Sequence, residues 1–408
     1  MEYPNYARGA LRFFDAPAQQ RSIAASHVQP KVINGAAYRL NLIGCGMIGR
    51  EHMRVATLLG KAVVNGVFDT SGESLEIASK DFSSYANTAL VIYDSLEEAC
   101  FDESVDALLI CTPNFTHFEI LQTAIKSGKA LFVEKPMATN LLEATIIVAM
   151  AQKYSNCIQL GMQYRYKSQY SEAFHLIKSK QVLGDVKTIS MSEYRPPFLD
   201  KVNQWNKFNE KSGGTLVEKC CHYFDLINMM AQSRPVRVFA SGGQAVNFKD
   251  FFYQGHVSDI DDNAFVIIEY GNGIRANFTL NMFCPELYEE LIVVGSSGRI
   301  TASEKSSFVD GRVSKATLVL ENNAETGEQI FDLTYADLVE RSGHHGATFF
   351  EHMALIDRLD GKLTDSATPL QGLWALIVAS AAQESMISGA PIIIDDYITN
   401  LNLEDALK

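Results

Sequence analysis

From Tyr38 onward, short apolar runs alternate with stretches of helical period. The runs at 40–43, 62–68, 90–93, 107–111, 130–133 and 157–160 have the length and composition of buried strands. Between them, 50–59, 71–80, 96–100, 115–127 and 141–153 space their apolar residues as helices do. Strands alternating with helices predict an α/β unit, a doubly wound parallel sheet. Ligands of such sheets sit beyond the carboxyl ends of the strands. Three of those ends stand out: GCGMIG at 44–49, TPNFTH at 112–117, and Glu134-Lys135-Pro136.

After about residue 164 the pattern changes. A helix is expected at 168–180, a strand at 186–194, a polar loop at 195–212 and a helix at 215–231. Strands then dominate: 236–246, 264–270, 274–283, 291–294, and weaker ones at 318–320 and 330–333. Gly271-Asn272-Gly273 is a hairpin turn signal. Helices at 348–359 and 370–388 close the chain. This half predicts an α+β domain built on a large, mostly antiparallel open sheet with helices on one face. Three segments are expected: an N-terminal arm or tail at 1–37, a dinucleotide-binding Rossmann domain at 38–162, and a substrate-binding and oligomerisation domain at 163–408.

Composition narrows the picture. A chain of 408 residues is too long for one ordinary core. No apolar run reaches the roughly 18 residues of a membrane helix. Arg8, Arg12 and Asp15 interrupt the N-terminus, so no secretion signal is read there. The seven cysteines are scattered without zinc spacing, which fits a reducing cytoplasm. A net charge of −13 argues against nucleic acid and gives no reason to expect an acidic membrane surface. A small-molecule partner remains.

Gly44, Gly46 and Gly49 follow a strand and open a helix, the context in which G-x-G-x-x-G binds a dinucleotide. The first glycine permits the turn, the second admits the pyrophosphate, and the third lets helix and strand pack closely. Phosphates would sit on the free N–H groups at the helix start, around Met47 and Ile48. Asp69 ends the second strand, where a carboxylate holds a ribose 2′-hydroxyl and repels a 2′-phosphate. The cofactor expected is therefore NAD rather than NADP.

Lys135 lies at a strand end and before a proline, where desolvation can tune a lysine for proton transfer. Pro136 is a candidate for a cis bond. Glu218 and His222 are four apart on an expected helix and share a face, with Asp225 near the same stripe. Histidine suits proton exchange with a hydroxyl. Taken singly, each has a plain structural reading: a surface lysine, a solvated helix pair. Glu218, Cys221 and His222 match no metal-ligand spacing, so no metal is expected. Tyr164, Arg165, Tyr166, Tyr194 and Trp205 offer the aromatic faces and polar tips that suit sugars, as well as cores.

GCGMIG, Asp69, TPNFTH, VEKP at 133–136 and SGGTLVEKCCHYFDL at 212–226 occur in that order. Together they make the chain resemble the Gfo/Idh/MocA family of sugar and polyol oxidoreductases, over about 38–394. The resemblance implies a Rossmann domain and a C-terminal α/β domain whose sheet face makes a homodimer or homotetramer. It puts the family's catalytic lysine on Lys135, its carboxylate on Glu218 and its histidine on His222. Thr112, Pro113 and Asn114, with His117 and Glu134, fall in the segments lining the cofactor. Gln163 and Arg165 fall in a substrate-side strand, with Tyr166 and Trp205 as further substrate candidates. His345, in the segment 342–346, could add a second histidine. The chain departs from the family at Glu218, more often Asp, at Cys220, more often Gly, and at Lys219.

The activity implied is NAD-dependent oxidation of a secondary alcohol on a neutral sugar, sugar derivative or cyclic polyol. Two alternatives stay open: glycoside cleavage or epimerisation on a retained, recycled NAD, and a catalytically silent sugar sensor.

Overall fold

The computed structural model describes residues 38–306, 314–323, 327–333, 335 and 337–407. The expected arm or tail at 1–37 lies outside them. Six strands make the first sheet: β1 (Tyr38–Ile43), β2 (Ala62–Phe68), β3 (Val91–Ile92), β4 (Ala107–Ile110), β5 (Ala130–Glu134) and β6 (Ile158–Gly161). Their order is β3-β2-β1-β4-β5-β6 and every pairing is parallel. β4 and β5 are buried at every position because helices cover both faces. Helix α1 (Met47–Leu59) joins β1 to β2, and α2 (Leu141–Lys153) leads into β6.

The second half brings nine strands into one sheet. They are β7 (Val186–Tyr194), β8 (Pro235–Gly243), β11 (Asn263–Tyr270), β12 (Arg275–Asn281), β13 (Leu287–Gly295), β14 (Gly298–Ser306), β15 (Lys315–Asn322), β16 (Gln329–Asp332) and β17 (Ile392–Ile393). A small hairpin, β9 (Phe252–Tyr253) with β10 (His256–Val257), stands apart and had no clear signal in the sequence. The sheet order is β16-β15-β14-β13-β7-β12-β11-β8-β17. Only β7 and β12 run parallel, so the sheet is mixed but mostly antiparallel. Along β13, alternate residues Leu287, Glu289, Leu291 and Val293 are buried, which puts a carboxylate among the apolar inward positions.

The expected helix at 215–231 is two helices, α3 (Thr215–Glu218) and α4 (Cys221–Ala231). The N–H groups of Lys219 and Cys220 both reach the Thr215 carbonyl, at 3.1 and 3.4 Å. The second is an i→i+5 bond, a widening found often at functional sites. Helices α5 (Ala347–Leu359) and α6 (Pro369–Ser388) return to the first sheet. α6 starts in a capping box of Thr368 and Gln371 and packs on α2, α4 and β8. One apolar cluster therefore runs through both halves, from Leu108 and Val133 to Tyr223 and Phe278. This shared core holds the carboxyl edge of the parallel sheet against the second half. Among the described residues, no helix is long and apolar enough to cross a membrane.

Candidate active site

At the end of β1, Gly44 has φ +91°, and a Cβ there would fall 2.8 Å from backbone atoms of Cys111 and Thr112. A Cβ at Gly49 would meet the Gly44 carbonyl oxygen at 2.2 Å. At Gly46, by contrast, nothing lies within 4 Å. α1 has no capping side chain and no acidic residue in its first turn. Its first N–H groups are thus free to bind an anion. Asp69 accepts from the N–H of Cys45 and of Ser71, both at 2.8 Å, which fixes its carboxylate against the glycine loop. Open space at the second glycine, free helix donors and a fixed carboxylate at the second strand are what a dinucleotide needs. The residues present fit NAD.

Beyond this cradle lies a cavity of about 300 Å³, reached by Met47, Ile48, Thr112 and Asn114 on the cradle side. Lys135 enters it from the end of β5, next to a cis Lys135–Pro136 bond. The Lys135 ammonium donates to the Glu218 carbonyl oxygen at 2.8 Å and lies 3.8 Å from Glu218 Oε1. Burial works against that ammonium, but neighbours led by Glu218 outweigh it and raise its pKa. Burial likewise opposes the Glu218 carboxylate, yet Lys135, Lys201 and Lys219 hold its pKa down. His222 is pushed well below the usual histidine value, first by burial and then by Lys135 and Lys219. At neutral pH the set is a charged lysine, a charged glutamate and a neutral imidazole.

The expectation is that Glu218 orients both Lys135 and His222, and it stands beside Lys135 but not His222. The break between α3 and α4 turns Glu218 to Lys135 alone, and Tyr164 positions the imidazole. The Tyr164 and His222 rings stack with centroids 4.1 Å apart and 7° between planes. The Tyr164 hydroxyl accepts from Lys219 Nζ at 2.5 Å. Lys167 Nζ lies 4.1 Å from the same ring and is bonded to Glu289 at 2.6 Å and Glu304 at 2.8 Å. A buried charge cluster thus supports the plate on which the histidine rests.

The structure brings Gln163, Trp205 and His345 to the cavity, with His345 Nε2 3.4 Å from Glu304. It does not bring Arg165 or Tyr166. Arg165 binds both oxygens of Asp225, at 2.7 and 2.6 Å, and borders a separate cavity with Trp374. Tyr166 packs with Phe349 and Phe350. Residues 163–166 are a 3₁₀ turn rather than a strand, and that winding groups Tyr164 with Lys167 instead of Gln163 with Arg165. Asp225 is likewise spent on Arg165.

His117 is buried, with its ring nitrogens bonded to the carbonyls of Pro136 at 2.8 Å and Thr112 at 2.9 Å. It ties the 112–117 loop to the turn at Lys135. Glu134 has a comparable bracing place. One oxygen accepts from the Lys135 N–H at 3.0 Å, and the other meets His52 Nε2 at 2.8 Å. His52 Nδ1 in turn meets His352 at 2.7 Å. His52, Glu134 and Glu351 are close enough together to be considered for a metal, but both His52 nitrogens are already engaged.

Sequence reasoning missed Lys167, Glu193, Arg195 and Lys201 in the cavity wall, while His344 falls in the 342–346 segment it had marked. His344 pairs with Glu51 at 2.7 Å, and both His344 and His345 have positive φ. Lys219 had drawn notice as an unusual residue.

A Rossmann sheet with an open phosphate cradle, and ionisable side chains gathered at its carboxyl edge, define an NAD-binding oxidoreductase. Residues 38–162 match the NAD-binding Rossmann fold of an oxidoreductase family, and residues 176–394 match that family's C-terminal alpha/beta domain. The chain belongs to the Gfo/Idh/MocA oxidoreductase family. An uncharacterised oxidoreductase of Bacillus subtilis is 22% identical over 357 residues, 87% of this chain and 96% of that protein. The myo-inositol 2-dehydrogenase of Thermotoga maritima is 24% identical over 266 residues, 65% of this chain and 75% of that enzyme. GenD2 from gentamicin A biosynthesis, solved in complex with NAD, has the same fold with a TM-score of 0.69. It is 20% identical, and the match covers 87% of this chain and 96% of GenD2.

Proposed function

We propose that the protein is an NAD-dependent dehydrogenase acting on a secondary alcohol of a sugar, sugar derivative or cyclic polyol. The observation that carries this reading is convergence. Lys135 comes from the parallel sheet and His222 from the second half, yet both line one cavity beside the glycine cradle. The inositol dehydrogenases among the relatives support the polyol class.

When bound, NAD supplies the hydride acceptor. His222, neutral at the working pH, takes the hydroxyl proton. The Lys135 ammonium donates to the same oxygen and stabilises the negative charge developing there. Glu218 holds that ammonium in place, and the Tyr164 ring holds the imidazole. Trp205, set edge-on to Phe115 with centroids 6.4 Å apart, offers an aromatic wall for a sugar face. For self-association we assign the outer face of the nine-stranded sheet, where Phe239, Phe265 and Ile267 are exposed.

The test is a panel of sugars and polyols with NAD, read at the nicotinamide absorbance. His222→Ala and Lys135→Ala should each lower turnover roughly 100- to 10,000-fold while NAD still binds. The double variant should lose less than the product of the two. A His222→Ala protein with full turnover on its true substrate removes the acid–base role.

A further inference from the structure

Lysine and arginine side chains crowd the cavity: Lys135, Lys167, Arg195, Lys201 and Lys219 all line it. Four of them have carboxylate partners. Lys135 has Glu218 at 3.8 Å, and Lys167 is closed off between Glu289 and Glu304. Lys219 and Arg195 share a single oxygen of Glu193, each at 3.3 Å. Lys201 has neither an ion-pair partner nor a side-chain hydrogen bond among the described residues. With the Lys167 cluster set aside, four cations and four carboxylates line the cavity, and of those carboxylates Glu51 is paired with His344 and Glu134 with His52. Lys201 is thus the cation of the wall that has no carboxylate of its own.

The loop that carries Lys201 is pinned. Asn206 Nδ2 donates to the Leu199 carbonyl at 2.9 Å, and Lys207 Nζ donates to the Phe198 carbonyl at 2.8 Å. Arg195 beside it lies over the Phe198 ring at 5.0 Å. Holding an unpaired ammonium in a partly desolvated wall is costly unless an anion arrives to meet it. Burial lowers the Lys201 pKa, with Lys135 and Arg195 acting the same way and Glu218 and Glu134 opposing them. A ligand anion would relieve that penalty.

We infer that the substrate is acidic: a polyhydroxy compound whose carboxylate or phosphate is bound by Lys201, with Arg195 beside it. This deepens the dehydrogenase reading and rests on it. It also changes the expectation of a neutral sugar. An unpaired ammonium with a guanidinium beside it discriminates among polyols that differ only in charge.

The experiment compares matched compounds on the NAD-loaded protein: galactose, galacturonate and galactose 6-phosphate, and myo-inositol with its monophosphate. The acidic members should show kcat/KM at least about tenfold above their neutral parents, with KM rising as salt is added. The uronate and phosphate arms tell which anion the site takes. Lys201→Met should lower the acidic-to-neutral ratio roughly 10- to 100-fold, the range for losing a charged hydrogen bond, and Lys201→Arg should restore most of it. Melting temperature and NAD titration are measured on each variant. Neutral parents preferred by the wild type, or a ratio unmoved by Lys201→Met, would overturn the inference. So would a Lys201→Met protein that loses NAD affinity and keeps the ratio, because Lys201 would then serve the cofactor. Calorimetric binding of the same pairs to the NAD complex separates the two levels. Acidic members that bind in a Lys201-dependent way without turnover support the inference while the dehydrogenase reading fails. Equal binding of acidic and neutral members, or no binding of acidic ones, overturns the inference by itself.

Discussion

Replacing Lys167 by methionine should be among the most damaging single changes in this protein, through charge rather than volume. The ammonium sits 2.6 Å from Glu289 and 2.8 Å from Glu304, and the three side chains are 2%, 0% and 1% exposed. Methionine fills nearly the same space. It leaves two buried carboxylates facing each other. Glu289 would keep the Tyr170 and Tyr223 hydroxyls at 3.0 and 2.7 Å, and Glu304 would keep Gln169 at 2.8 Å, so hydrogen bonding survives. The charge balance does not. Breaking a buried pair by removing one partner costs about 3–5 kcal/mol. At about 2.1 cal/mol/K of unfolding entropy per residue, a 408-residue chain should lose roughly 4–6 °C of melting temperature.

The pH dependence separates this cause from simple packing loss. In the wild type, Glu304 is held down to about 2 despite burial, chiefly by Lys167 and then His345. Its stabilising contribution is therefore present at neutral pH and lost on strong acidification. In the variant, the folded-state pKa of one carboxylate rises above its unfolded value. That contribution is kept at low pH and lost as pH rises. The gap between variant and wild type should accordingly narrow from pH 8 to pH 5, as read by thermal melts. Lys167→Met combined with Glu304→Gln should recover part of the loss. A gap under about 1 kcal/mol, or one that widens on acidification, would refute the reasoning. Turnover should fall as well, since Lys167 lies under the Tyr164 ring that carries His222.

Four further outcomes are expected. Asp69→Ser should weaken NAD roughly 10- to 100-fold and lift relative NADP use, measured as paired kcat/KM values; a wild type that already prefers NADP by a wide margin would contradict this role. Gly46→Ala should fold normally yet lose at least about tenfold in NAD affinity, because its methyl enters the space a pyrophosphate needs. Gly49→Ala should instead cost about 1–3 kcal/mol of stability, since its methyl meets backbone; equal effects of the two in melts and NAD titration would argue against the cradle. Because His222 must be neutral to accept a proton and its pKa lies well below 6.5, the acid limb of kcat/KM should fall below pH 6.5. A limb at or above that value, lost in His222→Gln, would show that the imidazole is not depressed.

Local regularities make much of this protein legible in its sequence. Period-2 and period-3.6 apolar patterns marked the alternating strands and helices, because burial of one face is a local property of the chain. The glycine spacing and Asp69 marked the cradle for the same reason, since turn, helix start and strand end all lie within one supersecondary unit. Lys135, Glu218 and His222 were marked by motif. What sequence could not determine was which side chain each would meet. The i→i+5 bond at Cys220 separates Glu218 from His222, and the 3₁₀ winding at 163–166 exchanges Arg165 for Tyr164 and Lys167. The charged wall draws Lys167 and Lys219, Glu193 and Arg195, and Lys201 from separate stretches of the second half to the cavity. Its charge balance is a sum over positions distant in the chain, and only the packing of the second half against the parallel sheet brings those positions within electrostatic range.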